Sequence, residues 1–470
     1  MDQRVLIPVT LPRDNPTESF WQLQPDEIAD LRSTDSLPEK ADTVIIGSGI
    51  TGAAVAFNLL DNGAQDIVML EARQACSGAT GRNGGHTKAA SYRSFLDHEK
   101  NHGTAMASKI ARLELANIRA VHAFAREHGI ECDSNPCDTV DVIYDAAQWE
   151  LDQRAVKAMQ DAMPGDDASI YTIHSPEEVR ERFYCGKGGN EGVCGGISYE
   201  AGSLSAYKFG IGVLKLCLKK GLNLQTNTPA LKLERLGSGG WQVETARGSI
   251  VARKIVLATN GYTAHLWKGF QGAIVPLRGH VTAQRPGINM PKSGLAATYS
   301  FIYENGYDYM ISRPKGSQFE GDIVIGGGLT KAPEDGLEEY GTTDDTDFNK
   351  IIVQALHGSL PQYFGDNWGQ DNSDGRIRKT WTGIMGYSPD GFPFVGEIPG
   401  EKDLWVSCSF QGHGMVLCWM CARALAAMVG GRDDVELASW FPEVFRITEE
   451  RTRLRFQGRL HTRAESSWLG

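Results

Sequence analysis

A chain of 470 residues exceeds what one hydrophobic core usually supports, so two intertwined domains are expected. The formal net charge of −11 argues against nucleic acid as a partner, because phosphate binding needs a basic surface. No apolar run approaches the roughly eighteen residues of a membrane-spanning helix, so no membrane partner is expected.

Nine cysteines, at positions 76, 132, 137, 185, 194, 217, 408, 418 and 421, form neither a disulfide framework nor a zinc ladder. Their number is odd and no secretory signal precedes them, which reads as reduced thiols in a cytoplasmic chain without a metal site. Cys418-x-x-Cys421 encloses Trp419 and Met420 in an apolar helical run, so the pair reads as core rather than as a redox couple.

Residues 1–40 are polar, carry five prolines, and are expected to form an arm lying on the surface. The pattern then becomes a buried parallel strand at 43–46, a glycine turn, a helix at 53–62 and a second strand at 66–70 that ends on Glu71. In the turn, Gly47-Ser48-Gly49-Ile50-Thr51-Gly52, the first glycine permits the tight bend. The second lets a pyrophosphate approach the backbone, and the third lets helix and strand pack closely. The helix N-terminus favours that anion, and Glu71 lies where an acid accepts hydrogen bonds from an adenosine ribose. Strand, turn, helix, strand and acid in this order point to dinucleotide binding.

After Glu71-Ala72-Arg73 comes a glycine-rich loop, Gly78-Ala79-Thr80-Gly81-Arg82-Asn83-Gly84-Gly85-His86, whose small residues suggest backbone passing close to a large planar ligand. A helical pattern follows at 100–129, a strand at 138–144, and a short helix at 175–183 whose Ser-Pro-Glu-Glu start resembles a capping box. A helix at 204–220, a strand at 222–225, a hairpin around the glycines at 237–240 and a strand at 254–258 ending on Thr259-Asn260-Gly261 complete a second nucleotide-domain portion. A fresh sheet is expected from strands at 275–284, 300–303, 307–312 and 322–326, followed by a helical return at 342–365. The stretch 376–430 reads as rejoining the nucleotide domain. It ends in a strand at 404–407 and a second glycine turn, Gly412-His413-Gly414-Met415, that opens a helix and offers another positive dipole end. The last thirty residues hold six arginines, at 446, 451, 453, 455, 459 and 463, against four glutamates, which reads as a solvated helix or a subunit contact.

Taken together, the fingerprint, the GRNGG loop, Ala258-Thr259-Asn260-Gly261-Tyr262, and Ser388-Pro389-Asp390-Gly391-Phe392-Pro393-Phe394-Val395-Gly396 with Gln411-Gly412-His413-Gly414-Met415 resemble the FAD-dependent amine and amino-acid oxidases of the D-amino-acid oxidase structural family. The likeness spans 21–430. It implies an α/β two-domain flavoprotein, with a Rossmann-like FAD-binding domain of discontinuous segments (41–135, 196–265 and 376–430) and an antiparallel or mixed substrate sheet (136–195 and 266–375). The segments 1–40 and 431–470 are then an arm and an extension. It also implies oxidation of a carbon–nitrogen bond by hydride transfer to the flavin, with O2 as a candidate acceptor.

Departures from the family bear on the substrate. Amino-acid-oxidising relatives keep a carboxylate-binding arginine where this chain has Met385, and sarcosine-oxidising relatives keep a lysine where it has Val416. An amine or a larger amino compound is therefore expected as the small-molecule substrate, unless Arg278, Arg313 or Lys88 supplies a clamp. Tyr262, Tyr303, Tyr307, Tyr309 and Trp381 are candidates for positioning the amine, and His280, Tyr309 and His413 for catalysis. The cysteine that tethers FAD in sarcosine oxidases falls on Gly383, while His86 lies near the place where some family dehydrogenases attach it. Two rival readings are an NAD(P)-linked reductase and a non-catalytic FAD-binding protein. The first lacks a second fingerprint, since Gly326-Gly327-Gly328 has neither the spacing nor the helix.

Overall fold

The structure, a computed structural model, describes residues 1–186 and 192–459. Two sheets organise it. The first has eight strands, and its central path runs Phe394–Glu397, Leu404–Cys408, Gly248–Leu257, Lys40–Ile46, Ile67–Leu70 and Asn223–Gln225. The Lys40–Ile46 strand is central and pairs in parallel with Gly248–Leu257 on one side and Ile67–Leu70 on the other. Its apolar run follows from cover on both faces. Ile45 and Met69 pack against helices Ile50–Asp61, Ala206–Lys219 and Cys418–Val429, while Val44, Ile46, Val68 and Leu70 pack with Phe270 and Phe394 on the opposite side. Strands Ala230–Arg235 and Trp241–Thr245 form the hairpin expected at the glycines near 237–240.

The second sheet has nine strands. Val275–Gln284, Ile323–Gly326, Gly306–Ser312 and Thr298–Tyr303 pair antiparallel in that order. The sheet is mixed, because Thr298–Tyr303 runs parallel to Asn135–Ile143, which in turn pairs antiparallel with Gly195–Ser203. The helix Pro176–Arg182 is closed by the expected capping box, with Ser175 accepting from the Glu178 N–H and Glu178 accepting from the Ser175 N–H.

Three expectations are corrected by this topology. The stretch 376–430 does not rejoin the first sheet at its start, because Ile377–Tyr387 pairs with Val275–Gln284 along nearly its whole length in the second sheet. Likewise 196–265 begins in the second sheet, through Gly195–Ser203. Strands buried on both faces read alike in either sheet, so their sequence does not choose the partner. The N-terminal arm does not lie wholly on the surface. Phe20 and Trp21 are only 5% and 7% exposed and belong to the main core, with Phe20 stacked on Trp381 at 6.2 Å. Two large aromatics in a polar, proline-rich segment have more to gain from burial than the segment's composition suggests.

The basic run of the extension is also more than a solvated helix. Arg451 pairs with Asp390 at 2.6 Å and donates to the Pro393 and Phe392 carbonyls, and Arg446 pairs with Asp433. Arg463 lies outside the described residues. Among the described residues no helix is long and apolar enough to cross a membrane.

If the N-terminal segment is core, Phe20→Ala should lower the unfolding free energy by about 3–5 kcal/mol, as for other buried aromatics. Urea denaturation monitored by tryptophan fluorescence checks this; a loss within about 0.5 kcal/mol would be that of a surface residue.

Candidate functional site

The fingerprint turn is built by close approach of backbone. Gly47 has φ +106°, and a Cβ there would stand 2.5 Å from the Ala258 carbonyl oxygen. A Cβ on Gly52 would stand 1.9 Å from the Gly47 oxygen, so helix Ile50–Asp61 can rest on the strand only with glycine at this position. The helix starts at Gly49 without a side-chain cap, and Ile50 donates its N–H to Thr80 Oγ1 at 3.0 Å. An uncapped helix start presents N–H groups and a positive dipole end to an anion.

Glu71 ends the second strand as expected. One carboxylate oxygen accepts from the Ser48 N–H (3.0 Å) and the Ser48 hydroxyl (2.6 Å), and the other accepts from the Arg73 N–H (3.0 Å). Ser48 therefore orients the acid and does not line the cleft. The glycine-rich loop is held from the N-terminal segment: Ser19 donates to the Gly81 carbonyl at 2.6 Å, Trp21 Nε1 to the Asn83 carbonyl at 2.5 Å, and Arg82 to the Thr17 carbonyl at 2.8 Å. Trp381 Nε1 donates to the Arg82 carbonyl at 2.8 Å from behind.

These parts line a cavity of about 270 Å³ that runs from the fingerprint to the second sheet. Gly47, Gly49, Ile50, Thr51, Glu71, Ala72 and Arg73 line one end, with Gly78, Ala79, Thr80, Arg82 and Asn83 alongside. Thr259, Asn260, Tyr262, His280, Tyr309, Met385, Gly412, Gly414 and Met415 continue it. A second cavity of about 220 Å³ is lined by Gly84, Gly85, His86, Lys88, Arg93 and His413. The two cavities share Asn83, Tyr307, Tyr309, Tyr387, Gly412, Met415 and Arg459, so they meet at one corner. There a Cβ on Gly412 would sit 2.9 Å from the Tyr387 hydroxyl and 3.1 Å from the Met385 sulfur.

Other sequence-predicted residues fall elsewhere. Gly261 does not line the cleft; it packs against the Met385 carbonyl. Trp381 is fully buried in the core between Phe20 and Arg82 and lines neither cavity, which removes it from the substrate set. Tyr303 is also outside both, its hydroxyl donating to Asp308 at 3.2 Å and its ring lying under the Lys331 ammonium. Tyr262 lines the cleft, but its charged neighbours are Asp345, Arg73, Arg82 and Glu71, which puts it with the cofactor-binding groups rather than at the corner. Its buried hydroxyl has no protein partner among the described residues, an arrangement that costs free energy unless a ligand completes it.

The histidines divide. His280 Nε2 accepts the Asn349 N–H at 2.9 Å, and burial draws its pKa down to about 4, so its basic nitrogen is already used in holding the chain. His413 Nε2–H donates to the Ala89 carbonyl at 2.8 Å, and burial again lowers its pKa, which leaves Nδ1 as its basic nitrogen. His86 is buried and neutral, its Nε2 2.6 Å from the Thr298 hydroxyl. Of the cations named as alternative clamps, Arg278 pairs with Glu339 at 2.6 Å, Arg313 pairs with Asp133 at 2.8 Å outside both cavities, and Lys88 pairs with Asp141.

Residues 42–428 match the family model described as FAD dependent oxidoreductase (DAO). The chain belongs to this family. Among curated relatives it is 26% identical over 406 residues to the probable oxidoreductase OrdL of Rhizobium meliloti (strain 1021), covering 84% of each chain. It is 21% identical over 429 residues to gamma-glutamylputrescine oxidoreductase of Escherichia coli (strain K12), covering 88% of this chain and 89% of that one. Among solved structures, L-proline dehydrogenase from P. horikoshii superposes with a TM-score of 0.68 at 18% identity, over 89% of this chain and all of that one. Glycine oxidase from Geobacillus kaustophilus superposes at 0.66 and 18%, over 87% and 99%. The fold is thus the two-domain flavoenzyme fold, and the cofactor is FAD.

The residues present fit that cofactor. The glycine turn and helix start suit the pyrophosphate, Glu71 suits the ribose, and the Tyr262 hydroxyl is a buried donor facing the cleft. What sequence reasoning missed is Arg459, taken as part of a solvated basic run yet lining both cavities; its signal was Phe456, an aromatic among the arginines.

Replacing Glu71 by Ala should weaken FAD retention by about 1–3 kcal/mol, the loss of a charged acceptor. Flavin fluorescence on serial dilution measures this, and unchanged retention would refute the ribose assignment. Acid precipitation should release the flavin to the supernatant; yellow colour kept in the pellet would point to a bond at His86.

Proposed function

We propose that this chain oxidises the carbon–nitrogen bond of an amine or amino compound to an imine, which water then hydrolyses, with O2 as the final acceptor. FAD, when bound, supplies the two-electron acceptor for this oxidation. The observation that carries the reading is the corner where the two cavities meet, because a small molecule in the second cavity would there adjoin the end of the FAD cleft.

The residues at that corner suit an amine donor. Tyr307, Tyr309, Tyr387 and Met385 form an apolar, largely aromatic wall that excludes water and disfavours the ammonium form, leaving the nitrogen lone pair available. Oxidation of this kind asks chiefly for placement, which a rigid aromatic wall provides. Tyr309 is fixed between two glycines: a Cβ on Gly84 would stand 2.5 Å from its ring, and one on Gly326 would stand 2.6 Å from its hydroxyl. On the second-cavity side His413, its Nε2–H committed to Ala89 and its protonation disfavoured by burial, offers Nδ1 as a neutral acceptor for a substrate N–H. His280 takes no such role, since its acceptor nitrogen is bound to Asn349. The relative gamma-glutamylputrescine oxidoreductase, whose name specifies an amino compound, supports the same reading.

The test is anaerobic bleaching of the purified yellow protein by a panel of amines and amino acids. At least one should remove the visible flavin absorption, with colour returning on admission of air. Bleaching by NAD(P)H and by none of the amino compounds would assign a reductase instead.

A further inference from the structure

Helix Thr104–Glu127 buries one face, and two polar residues, Glu114 and Asn117, stand on it among Ile110, Leu113, Ile118 and Val121. Asn117 is accounted for by packing. It donates to the Met415 carbonyl at 3.0 Å and accepts the Met420 N–H at 2.9 Å, which ties the helix to the glycine turn at the corner. Glu114 has no such account. It is only 6% exposed, lines the second cavity, and accepts from the Ser91 hydroxyl with one carboxylate oxygen, while the other has no protein partner among the described residues. We propose that Glu114 binds a second amino group of the substrate, so that the second cavity takes a compound with two amino groups, one oxidised at the corner and one held as an ammonium. This rests on the reading of the corner as the site of carbon–nitrogen oxidation and names the class of compound it takes.

The chemistry follows from position and charge. Glu114 stands three residues before Asn117 on the same face, about 5 Å along the helix axis, and Asn117 holds Met415, which lines both cavities. A short alkyl chain therefore spans from the corner to the carboxyl. No cation acts on Glu114, and burial lifts its carboxyl to about 7, so an ammonium beside it restores the ionised form and completes the pair. Among the described residues it is the one carboxyl that lines this cavity. The cations of the cavity wall are engaged elsewhere: Lys88 pairs with Asp141, Arg93 lies over the Tyr307 ring at 5.2 Å in the field of Asp141 and Asp152, and Arg459 bonds Tyr387 at the corner. Burial disfavours the charged forms of His86, His98 and His413. Ile110, Val416 and Leu417 line the same cavity with apolar surface, which suits the methylenes between two nitrogens. The two ends of such a compound are then told apart, the neutral nitrogen by the aromatic wall and the charged one by Glu114.

The test is equilibrium binding of straight-chain monoamines and α,ω-diamines of increasing length to the FAD-loaded protein without oxygen, read from the perturbed flavin absorption on mixing. At one length the parent should bind the diamine about tenfold tighter than the monoamine with the same carbon chain, reflecting a charge-assisted pair. Glu114→Gln keeps an acceptor for Ser91 and removes the charge; it should weaken the diamine about tenfold while leaving the monoamine within about twofold. Glu114→Asp draws the carboxylate back by one methylene and should move the preference to a longer diamine. No preference in the parent at any length, an unchanged preference in Glu114→Gln, or equal weakening of both probes, as a purely structural role would give, overturns the proposal. If Glu114→Gln fails to hold FAD, Glu114→Asp decides, and an unchanged preferred length there overturns it. Bleaching by monoamines and diamines alike, without a binding preference, would remove the subsite and keep the reaction. Diamine preference without bleaching would keep the subsite and remove the reaction.

Discussion

Contact between backbone atoms at the fingerprint glycines is the constraint on which the rest of the molecule depends. A single methyl on Gly52 would overlap the Gly47 carbonyl, and one on Gly47 would overlap that of Ala258. Only with both side chains absent can helix Ile50–Asp61 lie directly on the central strand with its start turned to the cleft. The anion-binding end of the helix, the acid at Glu71 and the loop at Thr80 are then fixed relative to one another by short bonds through Ser48 and Ile50. Packing and ligand recognition are the same feature here, which makes the turn intolerant of substitution on two counts.

The chain ends contribute what the middle lacks. Residues 17–21 strap the glycine-rich loop from one side, and Trp381 of the second sheet braces it from the other. Phe456 returns to the small core around Tyr340 and Tyr387, at the far end of the cleft from the fingerprint. The cleft is thus formed by two sheets and closed by segments distant in sequence. Its corner presents an apolar, largely aromatic wall of Tyr307, Tyr309 and Tyr387 beside Met385, a setting that disfavours a charged ammonium.

Features set by near neighbours were legible in the sequence. The strand, turn, helix and acid of 43–71 and the capping box at Ser175 depend on spacing over a few residues, and the structure has them in that order, the helix Ile50–Asp61 starting within the glycine turn rather than after it. The Val275–Gln284 strand likewise falls where the sequence places it. Features set by distant partners were not. Ile377–Tyr387 carries no mark of the sheet it joins, because partner choice depends on Val275–Gln284 some hundred residues earlier. Tyr303 and Tyr309 look equivalent as strand aromatics, yet the fold turns one to Asp308 and the other to the cavities. The arginine run at the C-terminal end reads as solvated until the burial of Phe456 is known.

The central claim is that one continuous cleft holds FAD from Glu71 to the corner at Met385 and Gly412. An experimental structure of the protein with its bound flavin tests it most directly. The account predicts density for FAD with the adenosine ribose against Glu71, the pyrophosphate over Gly49 and the start of the Ile50–Asp61 helix, and the ring system reaching Tyr309 and Gly412. Density for the cofactor elsewhere, or with its ends reversed, would contradict it.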